Sequence, residues 1–256
     1  MSQNSSPVSS AASILATRRK NADQGPRLPE SCRPLDVDTA LAIQSSVTEQ
    51  LDVAVRAWKC ATPSEGRIVM APIYAVTVQG AGDCPAIVRA GHVRVEPELA
   101  FILGKDLPAR DAAYTPAEVD AAIAETRLAL ELIDSRYRDP AGASFAENLA
   151  DGLLNQGLFI GMAVDGEKAR TTATLPIRVT LESGHETLLD GRHPNADPRA
   201  PLYWLAEFLR SKGTGLQAGQ AVITGSYAGS FDLPVGQEAT IRYGELGDLT
   251  VRFSQQ

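Results

Sequence analysis

Four residues in this chain are of types and at spacings that could do chemistry. Glu96 and Glu98 sit two apart in Val95–Leu103 (V-E-P-E-L-A-F-I-L), so in a strand both carboxylates project from one face. Like charges so placed repel unless a cation or a proton relieves them. Glu131 lies in L-A-L-E-L-I-D, where Asp134 is the only other polar residue within three positions. A carboxylate in a buried strand is costly unless paired or bound to a metal. Three carboxylates with no nearby His or Cys suit a hard divalent cation, Mg²⁺ or Mn²⁺. An ion pair of Glu131 with Arg136 or Arg138 explains the same pattern, and spacing alone does not separate the two. Lys59, in A-V-R-A-W-K-C-A, is the fourth; desolvation among apolar neighbours is expected to lower its pKa toward an acid/base range. A lysine stem packed along Trp58 needs no chemistry, and on the residues alone it is the simpler reading.

The chain that must position these residues begins with helices. Residues 1–10 are Ser-rich and expected to be mobile, and Ala11–Ala22 has helix-forming composition. Gln24–Pro34, with three prolines and a glycine, reads as a loop. Asp36 can cap a helix in which Ala40, Ile43, Val47, Leu51 and Ala54 recur on one face, to about Val55. From Ala57 onward short strands are expected at Arg67–Ala71, Tyr74–Val78, Ala86–Val95, Leu99–Leu103, Leu128–Ile133, Leu158–Val164 and Leu175–Leu181. Pro97 has no N–H for a ladder, which predicts an edge strand or a bulge. Thr115-Pro116-Ala117-Glu118 is a capping box opening a helix through about Thr126. Phe145–Gly152 reads as a short helix, and Pro201–Lys212 as an amphipathic helix stopped by Gly213. Ala221–Thr224, Ala239–Tyr243 and Leu249–Phe253 read as an antiparallel end, with Gly244–Gly247 closing a hairpin. Few helices among many short strands imply a β-rich α+β fold, with a helical segment over 1–56 and a β domain over 57–256.

Composition narrows the function classes. The 256 residues carry a net charge of −7 with no long run of one sign, which argues against nucleic acid or an anionic membrane as partner. No apolar run approaches the roughly 18 residues of a membrane span, and the first residues lack a signal-peptide pattern. Cys32, Cys60 and Cys84 are odd in number without C-x-x-C spacing, which points to free thiols and a cytoplasmic protein. The nucleotide-binding glycine motifs G-x-x-x-x-G-K-[ST] and G-x-G-x-x-G are absent. His92, His185 and His193 have no partner at ligand spacing and read as surface or supporting residues, and Trp58 and Trp204 as core.

The motifs A-W-K-C-A-T (57–62), V-E-P-E-L-A-F-I-L (95–103), A-L-E-L-I-D-S-R-Y (129–137), A-D-G-L-L-N-Q-G-L-F-I-G (150–161), P-L-Y-W-L-A-E-F-L (201–209) and A-V-I-T-G-S (221–226) come in this order. Together they resemble the hydratase/decarboxylase branch of the fumarylacetoacetate hydrolase superfamily, over roughly residues 37–253. That branch includes 2-oxopent-4-enoate hydratase and 4-oxalocrotonate decarboxylase. The resemblance implies a mixed β-roll with a helical N-terminal part, and Mg²⁺ or Mn²⁺ held by Glu96, Glu98 and Glu131. It matches Lys59 to an active-site lysine that moves protons during tautomerisation, before water adds to the activated alkene. Asp134, Ser135 and Arg136 match a D-S-R stretch, and Thr224, Gly225 and Ser226 a T-G-S stretch lining the site. For those six, turn and packing roles account for the residues equally well.

The implied activity is hydration of a 2-hydroxy-2,4-dienoate (2-oxo-4-enoate) to a 4-hydroxy-2-oxo acid, as in meta-cleavage degradation of aromatic compounds. Decarboxylation of a 2-oxo-enedioate such as 4-oxalocrotonate comes second, and hydrolysis of an acylpyruvate C–C bond is a weaker reading. A non-catalytic partner of a related enzyme is the alternative of another class. A homo-oligomer, alone or complexed with a related hydratase or decarboxylase, is the expected assembly. Several positions depart from the usual pattern. Ala57 and Ala61 replace glycines around Lys59, and Pro72–Gln79 carries no carboxylate to partner the lysine or activate water. Gly152 and Leu154 stand where hydrogen-bonding residues are usual, so the substrate wall at Leu154 is expected to accept a less polar tail.

Overall fold

The computed structural model describes residues 6–80 and 82–256. Helix α1 (Pro7–Lys20) is capped by the Ser6 hydroxyl, which accepts the Ser9 N–H at 3.2 Å. Of the Ser-rich start, residues 1–5 lie outside the described residues, and 7–10 belong to α1 rather than to a mobile arm. Helix α2 (Val37–Leu51) is capped by Asp36 as the spacing predicts. It stops short of Val55, because Asp52 takes the left-handed conformation (φ 52°) and turns the chain into strand β1 (Val55–Ser64).

The strands that follow are β2 (Arg67–Tyr74), β3 (Val78–Gln79), β4 (Asp83–Ala86) and β5 (His92–Leu103). The strand expected over Tyr74–Val78 is instead a 3₁₀ turn at Ala75–Thr77, and the run Ala86–Val95 is broken by a turn at Ala90 (φ 49°) and Gly91 (φ 81°). The Thr115–Glu118 capping box is present, but helix α3 (Pro116–Asp120) is one turn, because Ile123 already pairs with Leu103 at the start of β6 (Ile123–Ile133). Then come α4 (Phe145–Ala150), β7 (Asn155–Val164), α5 (Gly166–Thr171), β8 (Thr174–Leu181), β9 (Glu186–Arg192) and α6 (Ala200–Ser211). The chain closes with β10 (Ala221–Ile223), β11 (Phe231–Pro234), β12 (Glu238–Tyr243) and β13 (Gly247–Gln255). Strands β12 and β13 form the expected antiparallel hairpin, whereas β10 joins the other sheet, parallel to β1 and antiparallel to β5.

Two sheets result. One runs β2-β1-β10-β5-β6-β7-β3 with β11 also on β5, and the other β4-β13-β12-β8-β9. Flat, at about 4.8 Å per strand, the ends of the first would lie ~29 Å apart. Yet Ile73 of β2, Ala100 of β5, Leu158 of β7 and Val78 of β3 share one apolar cluster, so the sheet is rolled into a half-barrel. Its inner face is filled by small residues, Ala57, Ala100, Ala129 and Ala221 among them. The outer face of β5 and β6 (Val93, Val95, Leu99, Phe101, Leu128, Leu130, Leu132) packs against the second sheet and Leu202, Leu205, Ala206 and Leu209 of α6 in the main core. Helices α1 and α2 bury a separate cluster with Tyr137, Leu149 and Ala150. This is the β-rich α+β fold expected from the strand pattern, in the form of the mixed β-roll with helical N-terminal part that the family resemblance implies.

Pro97 sits in neither an edge strand nor a bulge. It pairs in register with Leu130 at the middle of the first sheet. Its missing N–H falls in the gap between β10 and β11 along the other side of β5, where the loop residue Tyr227 donates its N–H to the Pro97 carbonyl at 2.9 Å.

Candidate active site

The half-barrel brings the four residues together on its inner face. Glu96 and Glu131 are direct cross-strand partners on β5 and β6, and Glu98 follows two residues along. Lys59 enters from β1 through the register Lys59–Ile223 and Ile223–Ala100. One carboxylate oxygen from each of the three glutamates can be chosen so that all lie within 4.8 Å of one another. The Lys59 ammonium is 2.6 Å from Glu131 Oε1 and donates also to the Leu153 carbonyl at 3.1 Å. Glu131 therefore pairs with neither Arg136, which is bound to Asp151 at 2.7 Å, nor the exposed Arg138.

Two donors saturate one oxygen of Glu131 and leave the other free. Oε1 accepts from Lys59 and from the Asn155 amide at 2.9 Å, while Oε2 is buried with no hydrogen-bond partner. A buried orphan carboxylate oxygen is costly. Glu98 is held from the other side, its Oε2 accepting the Gly225 N–H at 2.7 Å. Burial pushes the Glu98 carboxyl well up, and the charges of Glu131 and Glu96 add to it against the opposing pull of Gly225 and Lys59. Burial and then Glu131 raise Glu96 as well. Crowded, desolvated carboxylates with an orphan oxygen form a donor set that fits a hard divalent cation.

Lys59 departs from its sequence expectation. Burial alone lowers its pKa, but the charge and hydrogen bond of Glu131, joined by Glu96 and Glu98, outweigh burial and raise it. The lysine is not a stem lying idle on Trp58; its ammonium sits inside the glutamate cluster.

The other expected residues lie around this centre in differing ways. A cavity of about 360 Å³ is lined by Arg94 and Ile133, the pair next to Glu96–Glu131 on the same face, and by Asp134, Ser135 and Leu154. Asp134 is tied to Arg89 at 2.9 Å and accepts from Gln24, and the Ser135 hydroxyl accepts the Tyr137 N–H at 3.0 Å. Arg136 is turned away into its pair with Asp151. The Thr224 hydroxyl lies 3.4 Å from His193 Nε2, and the Ser226 hydroxyl donates to the Gly229 carbonyl at 2.8 Å. His193 is buried and supports this loop, whereas His92 and His185 are exposed.

Two contributors were not legible as site residues. Asn155 ends the 150–155 stretch, and its proximity to Glu131 needs the β6–β7 register. Leu153 acts through its carbonyl, which is aimed at Lys59 by three consecutive residues with positive φ: Gly152 (87°), Leu153 (52°) and Leu154 (67°). Strain of this kind in two leucines, costing of order 1–3 kcal/mol each, is characteristic of functional segments.

Residues 37–254 match the family model described as fumarylacetoacetate (FAA) hydrolase C-terminal. The 4-oxalocrotonate decarboxylase of a Pseudomonas species is 29% identical over 62% of this chain, a match that spans 60% of the decarboxylase. The 2-keto-4-pentenoate hydratase 1 of Dechloromonas aromatica (strain RCB) is 27% identical over 98% of this chain and 99% of its own length. A solved structure of 4-oxalocrotonate decarboxylase from Pseudomonas putida G7, complexed with magnesium and adipate, shares the fold with a TM-score of 0.76 at 20% identity, covering 96% of this chain and 97% of that one. With the family model spanning most of its length and the same roll in a solved relative, this chain belongs to the fumarylacetoacetate hydrolase family.

Proposed function

We propose that this protein is a metal-dependent hydro-lyase that adds water to a 2-hydroxy-2,4-dienoate, giving a 4-hydroxy-2-oxo acid. The observation that carries the reading is Lys59 at 2.6 Å from Glu131, within a cluster of three convergent carboxylates. Glu96, Glu98 and Glu131 would hold Mg²⁺ or Mn²⁺, and the bound ion supplies Lewis-acid stabilisation of the negative charge that develops on the 2-oxo acid's oxygen. Lys59 is the proton carrier: it delivers a proton to C5 of the dienol as the C2 oxygen loses one, leaving a 2-oxo-3-enoate. Water then adds at C4 and a proton at C3, so that dienoate plus water equals product. Asn155 and Leu153 keep the ammonium and Glu131 in place through this exchange. Asp134, Ser135 and Leu154 would wall the substrate tail, with the Gly225 N–H fixing Glu98 and Thr224 and Ser226 holding the loop that carries it through His193 and the Gly229 carbonyl.

Decarboxylation of a 2-oxo-enedioate is the second reading, favoured by the likeness to the two decarboxylases. Against it, Arg89 and Arg94, the cations of the adjoining cavity, are matched by Asp134 and Asp232. Metal-loaded protein should convert 2-hydroxypenta-2,4-dienoate with loss of its ultraviolet absorbance and no CO₂. Release of CO₂ from 4-oxalocrotonate without hydration of any dienoate would reverse the order. No helix among the described residues is long and apolar enough to cross a membrane. The proposal extends to a homo-oligomer, an expectation carried by the family resemblance, and to a cytoplasmic location, an expectation carried by the free thiols of Cys32, Cys60 and Cys84.

A further inference from the structure

At the 151–155 segment, whose Leu153 carbonyl holds Lys59, two arginines meet with one carboxylate between them. Arg136 Nη2 and Arg19 Nη2 donate to the same oxygen, the Asp151 carbonyl, at 2.9 and 2.7 Å. The two guanidinium groups therefore stand side by side. Asp151 pairs with Arg136 through its carboxylate, and among the described residues no carboxylate forms an ion pair with Arg19. Arg136 is 1% exposed, and its Nη1 is buried with no hydrogen-bond partner. Burial, and next the charge of Arg136, bring the pKa of Arg19 down to about 10, with Asp151, Tyr74 and Asp134 pulling the other way. Both arginines line a cavity of about 190 Å³, with Lys20, Tyr74, Val76 and Gln156. Arg19, held by the Asp151 and Asn155 carbonyls and by the Tyr74 ring but by no carboxylate, together with Arg136 behind it and Lys20 at the rim, gives this cavity a cationic wall suited to a planar or tetrahedral anion.

We propose that this cavity binds a small oxyanion, a carboxylate or a phosphate, between Arg19 and Arg136. Arg19 also holds the Asn155 carbonyl at 3.2 Å, so an anion here braces the segment whose Leu153 carbonyl and Asn155 amide grip Lys59 and Glu131. The site is distinct from the glutamate cluster, which repels anions when no metal is bound.

The test uses the metal-free 256-residue protein, titrated separately with sodium phosphate and sodium acetate at constant ionic strength over a chloride background, with Tm as readout. A saturable rise of roughly 5–10 °C at a hundredfold excess over Kd is expected with at least one of them. Arg19→Gln should abolish it. Val76, 71% exposed at the cavity rim, offers a second variant that does not touch the buried pair. Val76→Glu places a carboxylate beside the arginines and should raise Tm without added oxyanion while removing the response. A phosphate-only or acetate-only response supports the site and names its ligand. No saturable rise in the wild type, or an equal rise in Arg19→Gln or Val76→Glu, overturns it.

Discussion

Asn155→Leu is the substitution that separates a cation site from an ordinary buried ion pair. The side chain is 1% exposed and donates to Glu131 Oε1 at 2.9 Å and to the Gly157 carbonyl at 3.2 Å. Leucine is close in volume, so the backbone of β7 should hold while both donations are lost. Glu131 then keeps only Lys59 on Oε1, and nothing fixes which oxygen faces the other glutamates. Hydrogen bonds that orient a metal ligand are worth about 10–100-fold in metal affinity. That range is about 1.4–2.7 kcal/mol, in line with the roughly 1.5–3 kcal/mol of a hydrogen bond to a charged group. The assay is titration of Mn²⁺ into metal-free protein, followed by electron paramagnetic resonance of the free ion, with circular dichroism to confirm the fold. A weakening of Kd by a factor of 10–100 is expected. A folded variant with Kd within twofold of wild type would refute the reasoning, because Oε2 would then need no orienting.

Other outcomes follow from the same geometry. Glu96 and Glu98 have raised pKa values, so at a given acid pH they hold protons that the metal must displace. Mn²⁺ affinity should therefore fall as pH drops through the raised carboxyl range, by up to about tenfold per pH unit for each proton displaced; an affinity that stays flat as the protein is acidified from neutral pH, with the fold intact, contradicts it. Lys59→Met removes both the proposed proton carrier and the cation that competes for Glu131. Turnover should fall by a factor of about 10²–10⁴ while Mn²⁺ binds at least as tightly, as separate kinetic and binding measurements would show. Asp151→Asn breaks the Arg136 pair, both of whose side chains are 1% exposed. It should cost about 3–5 kcal/mol in urea unfolding, and a loss under 1 kcal/mol would mean that Arg136 finds other compensation.

What could be read from the chain divides by the range of the interactions. Glu96 and Glu98 were legible because a two-residue spacing on a strand fixes their common face, and Glu131 because its frame is apolar. Their meeting needed only that β5 and β6 be neighbours. Pro97 misled because its tolerance depends on a gap between β10 and β11, strands more than a hundred residues away in sequence. Lys59 misled in pKa direction because burial is a local signal, whereas the opposing carboxylates arrive from two other strands. The helix expected to run to Thr126 ended at Asp120 because sheet pairing at Ile123 overrides local propensity. Leu153 was invisible: nothing in a leucine side chain announces a left-handed backbone that turns a carbonyl toward an ammonium.

The central claim is that Glu96, Glu98 and Glu131 form a cation site on which a 2-oxo acid can sit. The most direct test is titration of Mg²⁺ and Mn²⁺ into metal-free protein with oxalate present, comparing wild type with Glu131→Gln. Oxalate reproduces the chelating end of a 2-oxo acid, a carboxylate beside a second oxygen. Joint binding of metal and oxalate by the wild type, with both lost in Glu131→Gln, is the predicted result. A wild type that binds neither, or a Glu131→Gln variant that binds both as wild type does, would contradict the account.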